Sequence, residues 1–173
     1  MRHFLLCALF MSVTVALTAQ SKIIDNFIEK YRGIESVTHV NLSGNLLNFI
    51  IENSDEDGEH NFMSRLDALR VISFEDASAV NADDVSALKQ GIQANDYEEL
   101  VRVRDGKELV QIYLSENKDK VIEELIILVQ EPEEFTLVSL TGALRYEDLQ
   151  KLELDDDANE ALENLPDRGQ PRP

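Results

Sequence analysis

The chain is poor in the residues that most local chemistries need. It has one cysteine, no tryptophan, seven glycines and four prolines in 173 residues. The cysteine, Cys7, sits in an apolar N-terminal run. If that run is removed, the remainder has no disulfide, no thiol nucleophile and no thiolate metal ligand, and an apolar core must hold the fold together. The glycines do not cluster. No Gly-x-Ser-x-Gly elbow, no Gly-Lys-Ser/Thr phosphate loop and no Gly-x-Gly-x-x-Gly dinucleotide turn is present. The lack of tryptophan argues against a sugar-stacking site. Basic residues are also scarce: 16 Lys and Arg stand against 34 Asp and Glu, a formal charge of −18. Nucleic acid and anionic lipid repel such a body, because binding them requires cations that displace condensed counterions. The acid excess suits solubility, and it also suits docking to a basic envelope protein.

What is present begins with a secretion signal. Arg2 supplies a positive start, Phe4 to Leu17 form an apolar run, and Leu17-Thr18-Ala19 end it with small residues, so cleavage after Ala19 leaves Gln20 as the new N-terminus. The run is shorter than the ~20 apolar residues a helix needs to cross a bilayer, which speaks against a retained membrane span. Cys7 has almost no apolar segment before it, which makes it a poor lipoprotein cysteine. Three segments are expected: a signal peptide over 1–19, a single domain over 20–152, and an acidic, flexible tail over 153–173. The domain's length is enough to bury roughly two thirds of its unfolded surface.

Within the domain, Ser21 is placed to cap a helix with Ile23, Ile24, Phe27, Ile28 and Tyr31 at helical spacing, closed by Lys30, Arg32 and Gly33. Val37 to Leu42 alternates as a strand, Leu46, Leu47, Ile50 and Ile51 mark a short helix, and a second strand is expected near Leu69 to Phe74. Asn81 caps a further helix, with Asp83 and Asp84 in its positive first turn. From Tyr97 the period changes to alternation. Strands are expected over 97–104, 107–115, 121–130 and 135–143, and connections this short make neighbours antiparallel. Asp105-Gly106 is expected as a two-residue type I′ turn, which would oppose Val101 to Val110 and Tyr97 to Leu114. Tyr97, Val101, Val110, Ile112 and Leu114 would then share a face. Leu125 to Val129 is apolar without alternation, so that strand should be central and covered on both sides. The fold class is therefore α+β: an antiparallel meander over residues 97–143, extended by one or two earlier strands, with the N-terminal helices packed on one face.

No candidate chemistry survives comparison with its bland alternative. Asn53, Asp55, Asp57 and Gly58 match the start of an EF-hand loop, but its twelfth position is Ser64 where a bidentate glutamate is required, so a solvated acidic loop is expected. His39 and His60 lie in no ligand-spaced motif; His39 reads as a half-buried strand residue and His60 as a surface one. Glu123 and Glu124 are adjacent on a strand and point to opposite faces, so they cannot act together on one atom, and both read as solvated strand ends. No catalytic, cofactor-binding or metal-ligating residue is singled out.

The order of segments is nevertheless familiar. Phe27-Ile28-Glu29-Lys30-Tyr31 before the 37–43 strand, Tyr97-Glu98-Glu99-Leu100-Val101-Arg102-Val103, Asp105-Gly106, Val110-Gln111-Ile112-Tyr113, Glu123-Glu124-Leu125 and the run from Phe135 to Ser139-Leu140-Thr141-Gly142 resemble the domain of unknown function 4252 family. These are small exported proteins, mostly of Bacteroidetes-type bacteria. The resemblance covers nearly all of 21–152. It implies an envelope setting, the periplasm before the cell surface or the extracellular space, and it brings no activity or catalytic residue with it. The expectation is a non-catalytic envelope module that binds a protein or supports the surface. The alternatives are a hydrolase-like enzyme with no linear motif and a small-ligand carrier. Export makes a direct prediction: intact mass of protein from its native host should give a chain starting at Gln20, with pyroglutamate an allowed form. A membrane-bound chain retaining Met1 to Ala19 would overturn it.

Overall fold

The structure, a computed structural model, describes residues 21–52, 60–149, 152 and 162. The expected signal peptide, residues 53–59 of the acidic loop expected over Asn53–Asn61 and most of the acidic tail lie outside these residues, while the end of that loop, His60 and Asn61, is helical. In chain order the elements are α1 (Ser21–Tyr31), β1 (Val37–Ser43), α2 (Gly44–Glu52), α3 (His60–Met63), β2 (Leu66–Phe74), α4 (Ala82–Ala94), β3 (Glu98–Asp105), β4 (Glu108–Glu116), β5 (Ile122–Gln130), β6 (Phe135–Leu144) and α5 (Tyr146–Leu149). A single turn of 3₁₀ helix over Ala77–Ala79 precedes α4.

The strands form one six-stranded antiparallel sheet in the order β1-β2-β6-β5-β4-β3. The meander from β3 to β6 is therefore continuous, and β2 and then β1 extend it at the β6 side. Alternation divides the side chains into two apolar layers. On one face α1 and α4 lay Ile24, Phe27, Tyr31, Val85, Leu88 and Ile92 against Phe74, Phe135, Ile126 and Leu128. Phe27, Tyr31, Phe74 and Phe135 interlock there as tilted and edge-on rings with centroids 4.9–6.3 Å apart, close to the separations that aromatic pairs prefer. On the other face Leu125, Ile127, Ile112, Val110, Leu140 and Leu144 pack with Leu47 of α2, Leu149 of α5 and Leu162. The N-terminal helices are thus shared between the faces: α1 and α4 take one, while Leu47, Phe62 and Met63 of α2 and α3 join the other. β5 lies inside the sheet and is covered on both sides, as its unbroken apolar run requires.

The β3–β4 hairpin departs from its expected register. Asp105 pairs with Glu108, Val103 with Val110 and Val101 with Ile112, so the two-residue loop is Gly106-Lys107. Gly106 takes φ +52° and Lys107 is not among the positive-φ residues, the pattern of a type II′ turn, which needs glycine at its first central position only. A register shift between Glu99 and Val101 then reverses side-chain parity. Val101, Val110, Ile112 and Leu114 share a face as expected, but Tyr97 crosses to the other layer beside Tyr113.

Two local features fix the helices. The Asn81 carboxamide caps α4 by accepting from the Asp83 N–H at 2.8 Å. Asp25 lies beyond the first turn of α1 and reaches the sheet instead. At the far end of the molecule the fully buried Asp148 carboxylate accepts from Arg65 Nη1 through both oxygens, at 2.7 and 2.6 Å, and from the Arg145 N–H at 2.9 Å. This holds α5 to the sheet end. The same corner needs Gly142, where a Cβ would lie 2.1 Å from the Arg65 carbonyl oxygen.

Leu162, only 1% exposed, belongs to the second apolar layer, so the tail expected to be flexible contributes at least one core side chain. Three variants follow. Ile127→Asp should abolish folding, because an unpaired buried carboxylate costs several kcal/mol where total stability is roughly 5–15. Leu162→Ala should cost about 2–5 kcal/mol. Gly142→Ala should lower the melting temperature by forcing the Arg65 backbone aside. Circular dichroism melts check all three; a Leu162→Ala protein melting with the wild type would show that Leu162 adds nothing to the core.

Candidate functional site

The described residues bury five polar side chains, Gln111, Ser115, Glu124, Ser139 and Asp148, and two of them, Glu124 and Ser139, meet in one network under α1. Arg70 of β2 and Ser139 of β6 are cross-strand partners on the face that α1 covers. Glu124 of β5 lies beside them, and Tyr97 enters from the connection before β3. Glu124 is 3% exposed and Ser139 fully buried. The Glu124 carboxylate accepts from the Ser139 hydroxyl at 2.9 Å and Arg70 Nη2 at 3.3 Å through Oε1, and from the Tyr97 hydroxyl at 2.6 Å through Oε2. Arg70 Nη2 also donates to Ser139 Oγ at 3.0 Å, and Nη1 pairs with Asp25 of α1. Burial, reinforced by the bond to Glu124, pushes the Tyr97 phenol far above its ordinary range. Tyr97 is therefore a fixed donor at any physiological pH.

A serine hydrogen-bonded to a carboxylate could be an activated nucleophile. Here the geometry opposes that use. Ser139 Oγ already accepts one bond and donates another, it has no exposure to a substrate, and the carboxylate that would take its proton is engaged by three donors. The arrangement is a buried ion pair that anchors α1 to three strands; both guanidinium amino groups of Arg70 are bonded, while its buried Nε has no partner among the described residues. Glu124, expected at a solvated strand end, is buried instead, in parity with the fully buried Ile126 and Leu128. Arg70, Ser139, Tyr97 and Asp25 carry no linear signal, because register alone brings them together. Glu123 points away and accepts from the Asn117 side-chain amide at 3.3 Å.

A second polar contact joins α1 to α4. Asp84 accepts from Lys30 Nζ and from the Tyr31 hydroxyl, both at 2.6 Å, and the Asn81 N–H donates to the same phenol at 3.0 Å. Lys30 and then Tyr31 hold the Asp84 carboxyl below its usual range. Beside this pair, a groove of about 270 Å³ runs between Ile23, Asn26 and Phe27 of α1 and Ala87, Leu88 and Gly91 of α4. That is under the roughly 300–1,000 Å³ of small-molecule sites. His39 stands exposed on β1 rather than half-buried, and its ring Nε2 donates to the Tyr31 carbonyl at 3.1 Å. His60 falls in α3, and its side chain is outside the described set. Among the described residues no group of three or more His, Cys, Asp and Glu is arranged to hold a metal ion, and no helix is long and apolar enough to cross a membrane.

A structural role for the network predicts coupled losses of stability. Glu124→Gln removes the charge that answers a mostly buried guanidinium and should cost about 3 kcal/mol. Tyr97→Phe should cost about 1.5–3 kcal/mol, the worth of a hydrogen bond to an ionised group. The double variant should lose clearly less than the sum, because both act on one carboxylate. Urea unfolding of the four proteins measures this; additive losses would mean that Tyr97 and Glu124 act independently.

No curated protein and no solved structure is detectably similar to this chain. The family model described as a domain of unknown function matches residues 31–152, a span that includes the whole sheet and the buried Arg70–Ser139–Glu124–Tyr97 network, and the chain belongs to that family, DUF4252.

Proposed function

We propose that the chain is an exported, periplasmic, non-catalytic module that acts by binding protein. The observation that carries this reading is the distribution of exposed apolar surface. Among the described residues, the exposed large apolar side chains are Ile34, Val40, Leu46 and Phe49, and all four fall within a short stretch of chain around β1 and α2. Single exposed apolar residues are ordinary on a surface, but here the large ones among the described residues are gathered in one segment of 16 positions, from Ile34 to Phe49, which favours contact of that segment with another protein. The signal-like N-terminus supports export, and the acid excess suits a soluble envelope protein. The closed state of the Ser139–Glu124 pair speaks against a hydrolase at that position.

The test is affinity capture of the tagged protein from its native envelope, run in parallel for the wild type and Val40→Lys. Val40 is 38% exposed, so lysine there should leave the fold intact while placing a charge in the contact. The expected result is a stoichiometric protein partner that is captured by the wild type and lost with Val40→Lys at unchanged melting temperature. Retention of every captured protein by the variant would remove this surface from the proposal. A turnover of any substrate abolished by Ser139→Ala in a normally folded protein would replace binding with catalysis.

A further inference from the structure

The two edges of the sheet are built differently. β3 carries Glu98, Glu99, Arg102, Arg104 and Asp105, and a register shift interrupts its pairing with β4. Charges and bulges are the usual means of keeping an edge strand from pairing with another chain. β1 has neither. Its sequence, Val37-Thr-His-Val-Asn-Leu-Ser43, contains no charged residue and no proline, and its register with β2 runs unbroken from Val37↔Phe74 to Ser43↔Ala68. Among the described residues it pairs only with β2, and Thr38, His39, Val40 and Asn41 are all exposed.

The uncharged character extends past the strand. From Ser36 to Ile51 the sequence has no Asp, Glu, Lys or Arg, in a chain that holds 50 such residues among 173. This window coincides with the apolar group on the surface: Ile34 lies just before it, Val40 at its strand centre, and Leu46 and Phe49 on α2 at its far end. We infer that the β1 edge is a self-complementary interface that pairs antiparallel with β1 of a second copy, joining the two sheets into one. The inference rests on the binding role proposed above and names the partner of that surface.

A second copy fits for two reasons. The first is symmetry. A two-fold axis at Val40, the middle residue of the seven-residue strand, sets each β1 fully against the other, with Thr38 opposite Leu42 of the second copy and Asn41 opposite its His39. Antiparallel pairing then turns the Ile34 end of one copy toward the α2 end of the other. Isologous interfaces need this kind of self-complementarity. The second is charge. Two bodies of −18 repel through most of their surface, and a window free of charge is where two such bodies can touch without placing like charges together. A basic protein, by contrast, would be recognised through carboxylates, which this window lacks.

The prediction is tested on the chain recovered from its native envelope, with Cys7→Ser added if residues 1–19 are retained, so that an introduced cysteine is the only thiol. Val40→Cys should form a disulfide-linked dimer on mild oxidation, because residues facing each other across an antiparallel dyad have Cα atoms about 4.5–5.5 Å apart, within disulfide range. Lys118→Cys, exposed in the β4–β5 turn, should not. In sedimentation the wild type should show a concentration-dependent monomer–dimer equilibrium, and Val40→Lys should raise its dissociation constant about tenfold or more with an unchanged melt. A wild type monomeric at every soluble concentration, or a dimer that Val40→Cys fails to cross-link, overturns self-pairing. If that monomer still loses a captured envelope protein on Val40→Lys, the binding role stands and the partner is another chain; if Val40→Lys changes neither, both readings fall.

Discussion

β5 has no side that faces water: Leu125 and Ile127 are buried in one apolar layer, Ile126 and Leu128 in the other. A strand of this kind is stable only within a sheet covered on both faces, and the remaining architecture answers to that demand. The four-strand meander alone would leave one or both faces open. The chain therefore supplies α1 and α4 to one face. To the other it brings α2, α3, α5 and Leu162. With no cysteine in the described residues to staple these pieces, apolar burial and a few well-chosen polar anchors have to locate each helix.

The polar anchors show how a buried charge can specify without adding much net stability. Replacing a buried ion pair by apolar groups of similar volume is often neutral or favourable, whereas removing one member is costly. Glu124 illustrates the second half of that rule. Its carboxylate is reached from β2 by Arg70, from β6 by Ser139 and from the segment before β3 by Tyr97, and through Arg70 it communicates with Asp25 on α1. Any sliding of α1 along the sheet separates Asp25 from Arg70. A one-residue register slip of β2 against β6 separates Arg70 from Ser139 and moves a guanidinium into the opposite apolar layer. Arg65 and Asp148 do the same for α5 at the other end. The network's use is therefore positional, which accounts for why so reactive-looking a set of side chains is closed to solvent.

What could be read from the sequence and what could not divide along the range of the interactions involved. The period of α1, the Asn81 cap and period of α4, the four strands after Tyr97 and the central place of β5 depend on residues within a few positions of one another, and they were legible, whereas Ser21, expected as the cap of α1, is its first helical residue. The β3–β4 register was not. Asp105-Gly106 suits a type I′ turn as a dipeptide, yet a glycine also suits the first position of a type II′ turn, and the choice depends on which pairing buries Val101, Val103, Val110 and Ile112 together. The buried network was illegible for the same reason: Asp25, Arg70, Tyr97, Glu124 and Ser139 are scattered along most of the domain, and only the sheet order makes them neighbours. Glu124 is the exception, since alternation along β5 puts it in parity with Ile126 and Leu128 and so on a buried face. Leu162 was missed because the acidic, proline-ended sequence around it has too little apolar content to suggest packing, yet its side chain is buried in the second apolar layer.

The acidity of the chain and the neutrality of its β1 edge are two halves of one arrangement. In a solution with a Debye length of about 8 Å, carboxylates spread over a small domain still oppose close approach of like bodies, though they act weakly beyond that distance. Contact is therefore discouraged wherever carboxylates face each other and permitted where they are absent. β3 and β1 occupy corresponding positions at opposite ends of the same sheet, and both present a row of backbone donors and acceptors at its edge. The charges and the bulge of β3 make pairing there unfavourable, while the continuous, uncharged, partly apolar β1 has no second strand beside it among the described residues. An edge that a protein does not need for contact is normally blunted, and this chain blunts one of its two edges.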